Sequence, residues 1–404
     1  MTCTLLLDLD DTLLTNNIET FLPAYLKALG KYLAKFIPPD RLARELMQAT
    51  RAMVNNQNPV YSLEEVFDTH FYPAVGFSKE VLQEPITHFY EVEFPKLAHL
   101  TSPRQEAIHL VQTALDQGWQ VVIATNPLFP RRAIEHRLQW AGLKVECVPF
   151  RWITSYETMH FAKPNPAYYA EILGRLGWPQ DPVVMIGNSL EEDILPAAVI
   201  GIPTFWLDET DATLPSTVVP GSAKGNLAQA ERWFSRMPQH HDPCPLTPEA
   251  ILANLISTPA VFDGMKRDLQ PGECNRKPEP DEWCFTEIIC HLRDADLEVN
   301  LPRLSHILAQ ENAFISAVNT DEWSATRNYC EEDLELALHG FAAARIELVH
   351  QLEKLSDHDW NRQVRHAIFG PTSLLELMRF ITTHDRSHIQ QAIQTLASVR
   401  STGI

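Results

Sequence analysis

The sequence predicts an α/β domain with a doubly wound parallel sheet and a helical cap, followed by a separate all-α four-helix bundle. Three observations predict it. In residues 1–236 short, mostly apolar runs alternate with helical stretches, the pattern of strands buried on both faces of a parallel sheet. Residues 247–404 show almost no strand pattern and read as long helices with apolar stripes. Between them Met237–Pro248 carries four prolines and no apolar periodicity. Residues 237–246 therefore read as a linker. A length of 404 residues accommodates two such domains.

The strands expected in the first domain are Thr4–Leu7, Val121–Ala124, Val183–Ile186 and Thr204–Leu207. Helical patterns over residues 103–117, 131–141, 166–176 and 191–200 separate them, the first stopped by Gly118. From about residue 16 to 98 the chain is helical and aromatic, which reads as a cap inserted after the first strand. Its Tyr61, Phe67, Phe71, Tyr72, Phe77, Phe89 and Tyr90 are expected in the cap core and cap–body packing. In the second domain helices are expected over 248–257, 284–310, 331–355 and 371–397. Thr247-Pro248-Glu249 supplies a cap, a proline at the first helical position and an acid in the first turn. The stretch with Pro271, Gly272, Pro278 and Pro280 is expected to be irregular.

Composition narrows the function classes. With 45% hydrophobic residues the chain can bury real cores, which excludes global disorder. A net charge of −19 excludes a nucleic-acid binder that works by neutralising phosphates. No apolar run is long enough for a membrane span. The opening Met1–Asp11 has no basic segment and meets acids at once, unlike a signal peptide. Seven cysteines without CxxC spacing suit a reducing cytoplasm, with neither a disulfide framework nor a cysteine-built zinc site. The expected partner is a small molecule, and the sequence leaves the oligomeric state open.

The first chemical pattern follows strand one. Asp8-Leu9-Asp10-Asp11-Thr12 places carboxylates at the carboxyl end of a strand, the edge where open α/β sheets bind ligands. Thr125-Asn126 ends the second strand with a hydroxyl and an amide. Lys163 precedes a helix. Gly187-Asn188-Ser189, with Asp193 five residues after Asn188, ends another strand in a glycine turn. In these four ordered motifs, over about residues 1–235, the sequence resembles the haloacid dehalogenase superfamily of phosphohydrolases. The resemblance implies Asp8 as nucleophile and Asp10 as general acid, then base. It implies that Thr125 and Asn126 bind the phosphoryl group and that Lys163 neutralises charge. It implies Mg²⁺ held by Asp8, the Asp10 carbonyl, Asn188 and Asp193. Asp10 is also what sets phosphatases apart from dehalogenases of the superfamily. Asn188 departs from the pattern, which more often has an acid there, so Asp193 carries more of the cation's charge. Arg131 and Arg132 are read as a solvated helix face.

The second pattern is a set of histidines. In the last helix Leu374, Leu377, Ile381, His384, His388 and Gln391 fall on one stripe. In the second bundle helix Ile288, His291, Ala295 and Val299 do the same. On spacing alone, three metal ligands and three hydrogen-bonded core histidines are equally good readings. The surrounding residues, Trp283–Asp296 and Gly370–Leu374 with Thr383–His388, resemble the DinB-like (YfiT-like) metalloprotein family over nearly all of residues 247–397. That resemblance implies a four-helix bundle with one divalent metal on His291, His384 and His388, and it includes thiol transferases. Imidazole suits zinc, nickel, copper and iron alike, so the metal is left open.

The sequence thus reads as a cytoplasmic Mg²⁺-dependent phosphatase fused to a His₃ metal-binding domain, a thiol transferase or hydrolase. The alternative is a ligand-sensing protein with a weakened hydrolase domain beside a structural bundle.

Overall fold

The computed structural model describes residues 3–236, 247–320 and 322–401. The expected linker at 237–246 lies outside the described residues. The chain divides into two compact units. One comprises Met1–Gln57, Tyr61–Tyr168 and Pro179–Pro243, the other Asn58–Val60, Tyr169–Trp178 and Cys244–Ile404.

The first unit holds a six-stranded, all-parallel sheet. Across it the strands run Trp152–Ile153, Gln120–Ile123, Thr4–Leu7, Val183–Gly187, Thr204–Leu207 and Ala223–Gly225. Thr4–Leu7 is central, paired with Gln120–Ile123 on one side and Val183–Gly187 on the other. All four of its residues are buried, as its unbroken apolar run requires. The four expected strands are present. The edge strands Trp152–Ile153 and Ala223–Gly225 were not expected, because two or three residues show no periodicity. Leu5, Leu7, Val121, Ile123, Val184 and Ile186 anchor the core together with Leu110, Leu138 and Phe234 from helices.

The insertion after the first strand is helical, as expected: Ile18–Tyr32, Pro39–Val54, Leu63–Val75 and Lys79–His88, then a wider π turn at Phe89–Glu93 and a tighter 3₁₀ stretch at Phe94–Leu100. Leu14–Thr15 and Ser102–Pro103 pair antiparallel where the insertion leaves and rejoins the body. Phe71, Phe89 and Tyr90 are in the cap core with Phe21, Tyr25 and Phe94. Tyr61 is not: it is 49% exposed.

In the second unit four helices form a bundle in which the first two each pack against the last two. The first, Pro248–Arg267, runs ten residues past its expected end at 257. Pro259 should have stopped it, since proline cannot donate to the carbonyl of Leu255. Here Arg345 Nη1 donates to that carbonyl at 3.0 Å. Thr247 caps the helix as expected, accepting from Ala250 N. The second helix, Phe285–Ala295, widens into a π turn at Asp296–Asn300 and continues as Leu301–Ala309. The third is Leu334–Leu352 and the fourth Leu374–Ser401. The near absence of strand expected in this unit is corrected by a small sheet of Phe314–Ile315, Gln363–His366 and Gly370–Ser373. Gly370–Ser373, expected to open the last helix from 371, pairs instead with Gln363–His366. Gly370 supplies the left-handed backbone (φ 72°) that the turn needs. No described helix is long and apolar enough to cross a membrane.

Candidate active site and candidate metal centre

Asp8 stands directly after the central strand. Lys163 Nζ lies 2.8 Å from Asp8 Oδ1 and 2.6 Å from Asp193 Oδ1. Its side chain is fully buried, so the ammonium is committed to this pair of carboxylates. Asp193 is held from the other side by Ser189 N, 2.9 Å from Oδ2. Gly187 makes that approach sterically open, since a Cβ there would stand 2.3 Å from Asp193 Oδ2. Burial pushes the Asp8 carboxyl above the usual carboxylate range; Lys163 opposes this and Asp193 reinforces it.

The chain turns sharply after Asp8. Asp11 adopts a left-handed backbone (φ 56°) and its carboxylate accepts from Asn16 N at 2.8 Å. Asn16 Nδ2 donates to Asp10 Oδ1, also at 2.8 Å. The other Asp10 oxygen is ion-paired with Arg137. Arg137 is buried, its guanidinium 4.7 Å above the Phe129 ring, and its Nε and Nη2 have no hydrogen-bond partner.

Sequence reasoning missed Arg137. The signal was there: it follows Ala133 by four residues and Ile134 by three, on the buried face of helix Arg131–Trp140. Arg131 and Arg132 pair with Glu135 of their own helix.

Thr125 is buried after strand Gln120–Ile123, its carbonyl fixed by Thr154 Oγ1 at 2.9 Å and Tyr168 OH at 2.8 Å. Asn126 Nδ2 donates to Glu192 at 3.3 Å, while its Oδ1 is buried without a partner. Asn188 Oδ1 accepts from Thr12 Oγ1 at 3.2 Å, and its carbonyl accepts from Trp206 Nε1 at 2.9 Å.

The donors supplied by Asp8, Asp10, Asn188 and Asp193 are all oxygens, the set a hard divalent cation takes. Asp8 and Asp193 share one buried ammonium, so negative charge is left over that a cation would offset. By donor chemistry this set suits a hard divalent cation. If the amide at 188 weakens that site, Asn188→Asp is expected to lower the Mg²⁺ concentration for half-maximal activity about tenfold. A magnesium titration of both proteins reads this; an unchanged or higher requirement places residue 188 outside the cation site.

In the second unit the three histidines converge. His384 Nε2 is 3.3 Å from His291 Nε2 and 3.1 Å from His388 Nε2. A tetrahedral ion with ~2.0–2.1 Å bonds to nitrogen separates its ligand atoms by about 3.3 Å. His388 Nδ1 contacts Gln391 Oε1 at 2.8 Å, an orienting bond that leaves Nε2 for a metal. Trp283 stacks on His388 with centroids 5.9 Å apart. Behind the site Arg345 is buried against Asp296, 2.6 Å away, and Asp385, which also accepts from Thr258 at 2.9 Å. A cavity of about 280 Å³ opens onto His291 and His384, lined also by Arg303, His366, Phe369 and Phe380. The three nitrogens fit one divalent transition metal.

Burial pushes His388 down to about 4 and His291 to about 3, with the neighbouring imidazoles adding to the effect. His384 is lowered by burial as well. All three are therefore neutral, the ligating form, at pH 7. Unfolded histidines titrate near ~6.5, so between there and about pH 4 the unfolded state binds more protons than the fold. The metal-free protein should lose bundle stability as pH falls through this window. Thermal unfolding in chelator from pH 7 to 4 reads it, with a shallower fall expected for His388→Gln. Equal slopes would show that these histidines titrate freely.

A further group, Cys284, Glu287 and Cys330, also has converging donor atoms. Glu287 is already bonded to Cys284 N at 2.7 Å, Ser324 Oγ at 2.6 Å and Lys277 Nζ at 3.0 Å.

Residues 4–201 match the family model of the haloacid dehalogenase-like hydrolases, and residues 254–392 match that of the DinB superfamily. The chain carries one domain of each. Among solved structures it is similar to 2-haloacid dehalogenase from Pseudomonas syringae pv. Tomato DC3000, at 20% identity and TM-score 0.43, covering 58% of this chain and 99% of that one. It is similar to an HAD phosphatase from Thermococcus onnurineus, at 17% identity and TM-score 0.38, covering 58% and 98%. It is also similar to YfiT from Bacillus subtilis, at 16% identity and TM-score 0.35, covering 39% and 87%. No curated protein matches the chain.

Proposed function

We propose that the hydrolase domain is a Mg²⁺-dependent phosphatase acting on a small phosphorylated metabolite through an aspartyl-phosphate. The observation that carries this reading is Lys163 bridging Asp8 and Asp193 at the central strand's carboxyl end, with Asp10 two residues on. Asp8 attacks phosphorus while Lys163 offsets the charge of the nucleophile and the phosphoryl group. Thr125 and Asn126 donate to the phosphoryl oxygens. Asp10 protonates the departing alkoxide and then takes a proton from the water that hydrolyses the acyl phosphate. Arg137, paired with Asp10, and Asn16, bonded to its other oxygen, hold this carboxyl in place. Asp8, the Asp10 carbonyl, Asn188 and Asp193 would hold Mg²⁺, which would supply charge neutralisation for the transferred group.

In the bundle, His291, His384 and His388 would hold zinc, nickel or iron, which would supply activation of a thiol or water, as a thiol transferase or hydrolase needs. The test of the hydrolase reading is release of inorganic phosphate from a generic phosphate ester. Turnover with Mg²⁺ and none with chelator is expected. Ester binding without turnover would favour the ligand-sensing alternative.

A further inference from the structure

A cavity of about 290 Å³ lined by the cap and by Leu128, Phe129, Pro130 and Tyr156 of the body is not used by the proposed chemistry. Leu22, Leu29, Leu46, Met47, Phe67 and Phe71 form much of its wall, and among the described residues no charged side chain lines it. Most of its polar atoms are satisfied within the wall. The Tyr25 and Tyr90 hydroxyls bond each other at 2.7 Å, and Thr50 Oγ1 donates to the Leu46 carbonyl at 2.9 Å. Tyr72 and Tyr156 carry the remaining hydroxyls.

Two strips of chain tie this cavity to the reacting carboxylates. Leu128-Phe129-Pro130, part of its wall, follows Thr125-Asn126 after the single residue Pro127. Arg137 lies over the Phe129 ring and pairs with Asp10. Ile18, also on the wall, follows Asn16, which is bonded to Asp10. Both residues that contact Asp10 are thus next to the cavity wall: Asn16 lies two residues before Ile18, and Arg137 lies over Phe129.

We propose that this cavity receives the alcohol part of the substrate, and that the substrate class is phosphate monoesters of alkyl or arylalkyl alcohols. The proposal rests on the phosphatase reading. A largely apolar wall in which three of the five hydroxyls are already paired offers too few groups to replace the water that a sugar or polyol gives up on binding, so those esters are disfavoured. The size fits too: the cavity is about twice the ~150 Å³ space that takes up a benzene ring. A phenyl ring with a short alkyl chain fills it.

The test uses the full chain with Mg²⁺ and two probes, 4-phenylbutylphosphonate and 2,3-dihydroxypropylphosphonate, with affinity read by calorimetry. The arylalkyl probe is expected to bind about tenfold tighter or better, and Thr50→Phe, which fills the cavity, to lose most of that preference. Equal affinities in the wild-type protein, or a preference unchanged by Thr50→Phe, would overturn the proposal. Phosphate release from the two corresponding esters is read separately. A binding preference without any turnover upholds the cavity assignment and rejects the phosphatase reading. Turnover of both esters at equal kcat/KM upholds that reading and rejects the cavity assignment.

Discussion

Asp8→Asn is expected to abolish phosphate release, by roughly 10⁴-fold or more, because an amide cannot attack phosphorus. The loss should fall on kcat, since Thr125, Asn126 and Lys163 remain to bind the phosphoryl group. The fold should survive. Lys163 keeps Asp193 at 2.6 Å, so the variant leaves no buried ammonium without a partner. Burial disfavours the charged form of Asp8, so a neutral isostere there is expected to change stability by no more than about 1 kcal/mol in either direction. Phosphate release and melting temperature on one preparation decide it. A variant that keeps most of the wild-type rate would reject the nucleophile.

His384→Ala should have the largest effect on the bundle. His384 is the shared neighbour: both Nε2···Nε2 contacts of the cluster run through it. Its loss removes one ligand of three and should drop bound metal from one ion per chain to a small fraction. At a free metal concentration ~1,000 times the dissociation constant, the wild-type bundle gains about 4 kcal/mol from the ion, and the variant forfeits most of it. Metal content per chain and melting temperature, with and without chelator, read both effects. Full occupancy in the variant would return the three histidines to the hydrogen-bonded core reading.

Much of the candidate site was legible because its residues follow strand ends, and short, unbroken apolar strands such as Thr4–Leu7 and Val183–Gly187 announce themselves. Once those strands are placed side by side, Asp8 and the turn carrying Asp193 are brought to one edge, and the structure adds Lys163 between them. The histidines were legible for a similar reason, since helical spacing fixes which face each side chain occupies. The helical spacing placed Arg137 on the buried face, but its partner was not legible, because Asp10 is 127 residues away in the chain. The length of helix Pro248–Arg267 was hidden because Arg345, distant in sequence, satisfies the carbonyl that Pro259 frees. The two-residue strands carry no pattern to read; their neighbours create them.

The proposed phosphatase reaction passes through a covalent intermediate at Asp8. Full-length protein with Mg²⁺ is mixed with a phosphorus-labelled ester, quenched in acid within milliseconds, and digested for mass analysis. The prediction is a phosphoryl group on Asp8, labile to hydroxylamine as acyl phosphates are, and absent from Asp8→Asn. Steady phosphate release with no label on Asp8 at any quench time would contradict the account, because water would then attack phosphorus directly.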